Sequence, residues 1–313
     1  MTALSFGIVV PTLNSEETLS ETLMSISSQL GSNPLHVHVQ DGGSTDDTVM
    51  IAQNWADKVQ PAGRFTVSIN SRADSGPAEA LHHGLNSLRT DVMTWLGADD
   101  ILLPHAITTV VSFLRQHPET QWVTGVAQQI NECGVSLSLR GVDGSARIPT
   151  GFLQRALARG AHASTFAGFI QQEGTFWTAT AWQNSGKRIE TRLRLAFDFE
   201  LWCRMAKHHE LVQLATPLAM FRRRAGQLSE DSPAYAAEVR QVRESLGRIR
   251  GFKSWHHTSH LKPIALYSPD DNLWQIKGYV FGRRLLRRIG EGALQYLRRN
   301  SITRPPKVPH RAP

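Results

Sequence analysis

A chain of 313 residues, 41% hydrophobic and 19% charged, can bury a large core, and its length suits one large α/β domain or one such domain with an appendage. No apolar run approaches the ~20 residues that span a bilayer, and the start from Met1 to Gly7 lacks the basic region and cleavage site of a secretory signal, so the expected location is cytoplasmic. Two cysteines, Cys133 and Cys203, fall in no CxxC pattern, which argues against a disulfide framework or thiolate zinc site and reads them as buried small hydrophobes, while the net charge of +7 invites an anionic partner.

Residues 5 to 125 alternate short β-branched runs with amphipathic helical stretches, the pattern of βαβ units and a mostly parallel sheet flanked by helices. Strands are predicted at Phe6–Val10, His36–Gln40, Phe65–Asn70, Val92–Leu96 and Trp122–Val126. Pro11 is read as the stop of the first. Asn14 with Glu17 reads as a capping box for a helix whose apolar face is Leu19, Leu23, Ile26 and Leu30. Pro104 suits the first turn of a helix running to about Gln116. Gly134 to Thr150 is glycine-rich and polar, which suggests a hairpin or a mobile loop, and strand signals are sparse beyond it. Helical segments are predicted at Gly151–Arg159, Asp198–His208 and Ala234–Arg248, with a turn over Ser229–Pro233.

From Lys277 onward the chain is basic, with Glu291 as its single acid. Within that tail, Gly282 to Arg299 repeats apolar residues at helical spacing with arginines between them, and two readings stand: a helix on an anionic membrane surface, or a solvated helix whose leucines dock on the catalytic domain. Single-helix length and the glycines argue against a nucleic-acid partner.

The most informative chemistry is Asp99-Asp100, where the apolar run from Val92 empties into a loop. Carboxyl ends of strands in an open α/β sheet are where such folds bind ligands. Two acids there are too few for a closed protein cage and suit a magnesium or manganese site completed by substrate. A helix N-cap before Pro104 is the alternative, but one acid would serve it, at about 0.3–1 kcal/mol. Upstream, Asp41 follows a strand directly, Gly42 and Gly43 let the backbone approach a ligand, and Ser44, Thr45 and Asp46 offer helix caps. A carboxylate at that point can accept the N–H of a nucleobase, and the glycine spacing is wrong for a dinucleotide site. The bland alternative is an Asp-Gly turn. Arg72 could pair with a phosphate. The adjacent His82 and His83 fall on different helix faces and do not read as a metal pair.

The series Val10-Pro-Thr-Leu-Asn14, Asp41-Gly-Gly-Ser-Thr-Asp46, Asp74-Ser-Gly76 and Gly97-Ala-Asp-Asp100 resembles the family 2 glycosyltransferases over about residues 5 to 225. The resemblance implies a GT-A fold, a nucleotide-activated sugar donor, a divalent cation and transfer with inversion. It assigns Thr12 and Asp41 to the base, Asp74 to the nucleotide pocket, Asp99 to ribose or sugar and Asp100, with Asp99, to the metal. Pro11, Asn14, Gly42 and Arg72 join the nucleotide-sugar side. Ala78 and His82-His83 depart from the residues common in relatives. Arg194 to Arg204 resembles the stretch that carries the acceptor-side base, so Asp198 is the chosen general base; a carboxylate between aromatics loses hydration and gains basicity. Glu200 is expected to pair with Arg204 at i,i+4, and Leu201 and Trp202 to be core. Gln171 to Trp177 resembles the acceptor-cleft segment, making Glu173 the rival base and Trp177 an acceptor-side residue. Phe221 to Ser229 resembles a closing segment in which one of three arginines could clamp the diphosphate.

The expected domains are therefore 1–228, a GT-A catalytic domain with its nucleotide-sugar half at 1–125 and acceptor half at 126–228, and 229–313, a helical basic extension. The expected activity moves a sugar from a UDP-linked donor to a saccharide or lipid-linked saccharide. A sugar-phosphate nucleotidyltransferase is a rival, but would start with a glycine-rich, Arg-containing loop that Pro11-Thr-Leu-Asn14 does not match. A non-catalytic sugar-nucleotide or membrane-binding protein is the third reading.

Overall fold

The computed structural model describes residues 3–137, 151–161, 170–227, 232–246 and 262–279. The first half runs β1 (Phe6–Thr12), α1 (Leu19–Ser27), β2 (Leu35–Asp41), α2 (Thr48–Val59), β3 (Phe65–Ser71), α3 (Pro77–Ser87), β4 (Val92–Trp95), β5 (Ile101–Leu102) and α4 (Ala106–Gln116). Then follow β6 (Trp122–Thr124), β7 (Gln129–Ile130), α5 (Gln154–Ala158), β8 (Thr175–Thr178), α6 (Ala179–Asn184), α7 (Phe197–Met205), β9 (Leu211–Leu214), β10 (Ala219–Arg222), α8 (Ser232–Ser245), β11 (Lys262–Ser268) and β12 (Leu273–Tyr279).

Nine strands form one sheet in the order β12-β11-β9-β6-β8-β4-β1-β2-β3, and β5-β10-β7 form a second. β1 lies parallel between β2 and β4, and β2 lies parallel to β3. Their carboxyl ends therefore open on one side, where the acid-bearing loops emerge. β8 runs antiparallel to both β4 and β6 and joins the two parallel blocks. The result is the expected mixed α/β fold with a mostly parallel sheet flanked by helices.

Alternation along the strands sends side chains into two cores. Phe6, Ile8 and Val10 of β1 pack with Leu19, Leu23 and Ile26 of α1 and Val110 and Phe113 of α4. Val9 and Met93 join Leu81 and Leu85 of α3 in the other core, with Trp95, Trp122, Trp177 and Trp202. In this cluster Trp95 and Trp122 each stack on Trp202 of α7 with centroids 5.5 Å apart. Such rings fix α7 against the sheet, which matters because α7 carries Asp198.

Several expectations are corrected. Pro11 does not stop β1, which continues to Thr12 in register with Asp41. Pairing with β4 ends at Val9↔Trp95, so Pro11 lies beyond that ladder and its missing N–H leaves no strand unpaired. Asn14 caps no helix: α1 starts at Leu19 behind Thr18, without a side-chain cap. Asn14 adopts φ 47°, and its side chain accepts from Thr45 N at 2.9 Å, while its own N–H donates to Ser44 Oγ at 2.8 Å. It thereby ties the β1–α1 loop to the β2–α2 loop. Cys133 is exposed, and only Cys203 is buried as expected.

Gly134 sits in a tight hairpin, with Asn131 N donating to Val135 O and Ile130 bridging Ser136; residues 138–150 lie outside the described residues. After residue 229 the chain is not helical throughout. α8 is followed by the β11–β12 hairpin, in which β11 pairs parallel with β9 and extends the main sheet. Contacts group the chain through Tyr279 as one unit and Val280–Pro313 as another. The basic segment Gly282–Arg299 lies outside the described residues. Among the described residues no helix is long and apolar enough to cross a membrane.

Candidate active site

Thr12, Asp41 and Ser71 end β1, β2 and β3 in a single register row. Asp41 is fully buried and accepts from Thr12 Oγ1 at 3.1 Å, Ser71 Oγ at 2.6 Å, Gly43 N at 3.1 Å and Ser44 N at 3.0 Å, with the Ser44 hydroxyl as a fifth donor. Burial would push its carboxyl up, but these bonds outweigh it and hold the pKa below the ordinary value. Both Asp41 oxygens are thus held by donors from the ends of β1 and β3 and the loop after β2. Asp41 is the knot that folds the pocket loop.

The acid with capacity to spare is Asp74. Its Oδ1 accepts from Gly76 N at 2.9 Å, while its Oδ2 is buried without a donor. Burial first, then Glu79 and Asp41, raises its pKa. A Cβ on Gly42 would stand 3.1 Å from Asp74 Oδ1, so the glycine lets the two loops meet. The half-exposed Arg72 guanidinium donates to His83 Nε2 at 2.7 Å and lies 3.7 Å from Glu79.

Beyond β4 the chain turns at Gly97, with Asp100 N donating to Gly97 O. A Cβ on Gly97 would stand 2.5 Å from Asp100 Oδ2 and 3.1 Å from Asp99 Oδ1, so one oxygen from each acid converges over this glycine. The other two oxygens are held by protein: Asp100 Oδ1 accepts from Arg222 N at 2.9 Å, and Asp99 Oδ2 from Arg224 Nε at 2.9 Å. Asp100 is 2% exposed, and burial, followed by Glu173 and Asp99, pushes its pKa well up. Among the described residues no group of three or more His, Cys, Asp or Glu side chains gathers for a metal. The donor set is therefore two carboxylate oxygens, which fits a hard cation whose shell is otherwise filled by phosphate and water.

Arg222 is a structural pin. It is 2% exposed and donates to Asp99 O, Asn131 O and Glu132 O, with Glu21 as its ion-pair partner at 2.5 Å. Arg223 is exposed and Arg224 partly so. Of the three, Arg224 is the one whose guanidinium donates to a side-chain carboxylate of the acid pair.

Glu173 lies in the 3-10 turn Gln172–Gly174 before β8, held because Trp95 Nε1 donates to Gln172 Oε1 at 3.0 Å. It is 2% exposed, and its Oε2 has no donor. Burial, with Asp198 and Asp99 adding to it, raises its pKa to about 7. Asp198 is the second residue of α7, is partly exposed, and accepts from Phe199 N at 2.6 Å. Burial among its aromatic neighbours, with Glu238 adding to it, raises its pKa to about 7. Glu200 pairs with Arg204 at 2.7 Å as the i,i+4 spacing expects. Trp177 does not line a cleft: it is fully buried, 5.1 Å from Trp95 ring to ring, because its position on β8 turns it into the tryptophan core.

The fold thus links four acids in a chain: Asp100 feels Glu173 and Asp99, and Glu173 in turn feels Asp99 and Asp198. Sequence reasoning missed Ser71, Gln172 and Glu238. Ser71 had a signal, since it directly follows the predicted strand Phe65–Asn70 as Asp41 follows His36–Gln40; the other two are set by tertiary contacts with no local pattern.

The family model described as Glycosyl transferase family 2 matches residues 7–170. Over 126 residues the chain is 32% identical to a PGL/p-HBAD biosynthesis glycosyltransferase of Mycobacterium bovis, covering 40% of this chain and 47% of that protein. It is 30% identical over 105 residues to the GalNAc(5)-diNAcBac-PP-undecaprenol beta-1,3-glucosyltransferase of Campylobacter jejuni, covering 34% and 33%. The chain therefore spans less than half the length of these relatives. Among solved structures, S. aureus TarS 1-349 in complex with UDP-GlcNAc matches with TM-score 0.60 and 17% identity, over 78% of this chain and 66% of that one. The mannosyltransferase PcManGT from Pyrobaculum calidifontis, in complex with GDP-Man and Mn2+, matches with TM-score 0.50 and 19% identity, over 73% and 59%. At these identities the structural likeness establishes the fold.

Proposed function

This chain belongs to glycosyl transferase family 2, and from that premise we propose that it moves a sugar from a nucleoside-diphosphate donor, UDP-linked, to a hydroxyl of a saccharide or lipid-linked saccharide, with inversion. The observation that carries the reading is the convergence of Asp99 Oδ1 and Asp100 Oδ2 over Gly97 at the end of a parallel strand. A magnesium or manganese ion held by those oxygens would neutralise the charge on the departing diphosphate. The UDP assignment is supported by the structural neighbour solved with UDP-GlcNAc.

Asp74 takes the polar contact to the nucleotide, since its Oδ2 lacks a donor. Asp41 and Ser71 hold the loop that frames the pocket. Arg224, already beside Asp99, is placed to reach a phosphate oxygen. Asp198 accepts the proton of the acceptor hydroxyl as that oxygen attacks the anomeric carbon. The bond to the diphosphate breaks on the opposite face, and its electron pair leaves with the phosphate oxygen, so a single displacement inverts the centre. Asp198 serves better than Glu173 because a base must touch the acceptor, and Glu173 is 2% exposed. The lipid-linked acceptor is supported by the relative named for an undecaprenol-linked substrate and by the basic segment Gly282–Arg299, which suits an anionic membrane surface.

Thermal unfolding with UDP-GlcNAc, UDP-glucose and GDP-mannose, each with and without manganese, tests this. Stabilisation by a UDP-sugar that depends on manganese and is lost in Asp99→Ala and Asp100→Ala is expected. No stabilisation by any nucleotide sugar overturns the reading, and binding without nucleotide release would mark a non-catalytic protein instead.

A further inference from the structure

Helix α8 reaches the start of α7 through one side chain. Glu238 Oε1 accepts from Arg194 N at 2.9 Å, and its Oε2 accepts from Leu195 N at 2.8 Å and Ala196 N at 2.7 Å. Three consecutive amides thus close on a single carboxylate in the residues that lead into α7. No side chain of α7's own segment caps that end, whose N-cap position is Ala196. A charged acceptor brought from another helix is among the stronger hydrogen-bonding arrangements available to backbone amides. Val239 and Val242 of α8 are buried in the same core as Phe199 and Trp202, so α8 is seated while Glu238 makes these bonds. Two residues past the clamped amides stands Asp198.

We infer that Glu238 is a positioning residue: its carboxylate fixes the entry of α7 and places a negative neighbour beside Asp198. The inference rests on Asp198 being the general base. The groups facing Asp198 are Glu238 and Tyr235 from α8, Cys203 from α7 itself and Glu173 from the turn before β8. Of the other helices packed on α7, α5 carries Arg155 and is followed by Arg159, both exposed, and α6 carries no titratable side chain. Glu238 is thus the neighbour from outside α7 that combines a negative charge with a direct hold on the helix entry. Burial remains the larger influence on Asp198, and Glu238 adds to it.

The test uses the full chain with its aspartate carboxyl carbons labelled, Asp198→Asn identifying the Asp198 resonance. Glu238→Gln keeps an acceptor but removes the charge, and should lower the Asp198 titration midpoint. Glu238→Ala should also speed hydrogen exchange of the 194–196 amides by about tenfold. With UDP-GlcNAc and manganese as the probe, Glu238→Ala should lower kcat for UDP release with KM held, and Glu238→Gln should restore part of it. A midpoint unmoved in both variants overturns the inference; should Glu238→Ala fail to fold, the Gln variant alone decides. If the midpoint moves but Asp198→Asn releases UDP as fast as the unaltered protein, the base assignment has failed while the contact stands, and the positioning role falls with it.

Discussion

Arg224 donates from Nε to Asp99 Oδ2 across 2.9 Å, so the strand-end carboxylate already carries a positive partner. A cation binding over Gly97 must share Asp99 with that guanidinium. The pair is partly exposed, which limits its worth to about 1 kcal/mol or less. Arg224→Ala is therefore expected to tighten manganese binding without nucleotide by roughly three- to fivefold, and to raise KM for the donor because a phosphate contact is lost. Calorimetric titration with manganese chloride alone checks the first effect; weaker binding would show that Arg224 helps to build the cation site.

Gly97 leaves no room for a side chain, since a Cβ would lie 2.5 Å from Asp100 Oδ2. Asp100 is buried and tied to Arg222 N, so the carboxylate cannot swing away cheaply. Gly97→Ala is expected to fold with a loss of about 1–3 kcal/mol and to lose manganese-dependent stabilisation by nucleotide sugar. Denaturant melts with and without ligand separate the two effects.

Asp198 links turnover to pH. Its folded pKa of about 7 stands above its unfolded value, so the stability associated with the neutral carboxyl is present below pH 4 and lost as pH rises through 7. Turnover, which needs the carboxylate, rises over the upper part of the same window. Asp198→Asn should abolish sugar transfer yet raise stability at pH 8 by about 2 kcal/mol, discounted for partial exposure, with the gain vanishing near pH 4. Melting temperatures at the two pH values test the sign.

Asp41 has the opposite linkage. Its pKa is held down by Ser44, Ser71 and Thr12 against burial, so its contribution is present above the unfolded pKa and fades as pH falls. Ser71→Ala removes one bond and should cost about 1 kcal/mol at pH 7, with a smaller difference in acid. An equal loss at both pH values would mean that Ser71 acts through packing alone.

How much of this was legible follows from where each signal resides. β1 to β4 and β6 are marked by continuous β-branched runs bounded by turn residues, and their positions come out within a residue or two. β8 to β10 span two to four buried residues each, too little for periodicity to register, and β11–β12 belongs to the sheet through pairing with β9, a contact far away in the chain. At the site, Asp99, Asp100, Asp74, Glu173 and Asp198 were named from motif spacing. The surroundings of Asp41 and Trp177 were not legible, because a motif says that a residue matters without saying which way it faces. Asp41 turns into its own hydroxyl donors and Trp177 into a cluster of rings. Asn14 shows the same limit: the capping pattern is present, but its left-handed backbone bridges two loops instead.

The hairpin of β11 and β12 has a practical corollary for anyone cutting this gene into shorter pieces. A product ending at residue 228 would strip β9 of the strand alongside it and leave the row of amides and carbonyls beside Val212 and Leu214 open to pairing with another molecule. It would also discard Glu238. Such a fragment should clump in solution even though every motif of the donor pocket is intact, whereas one ending after Tyr279 keeps that border closed.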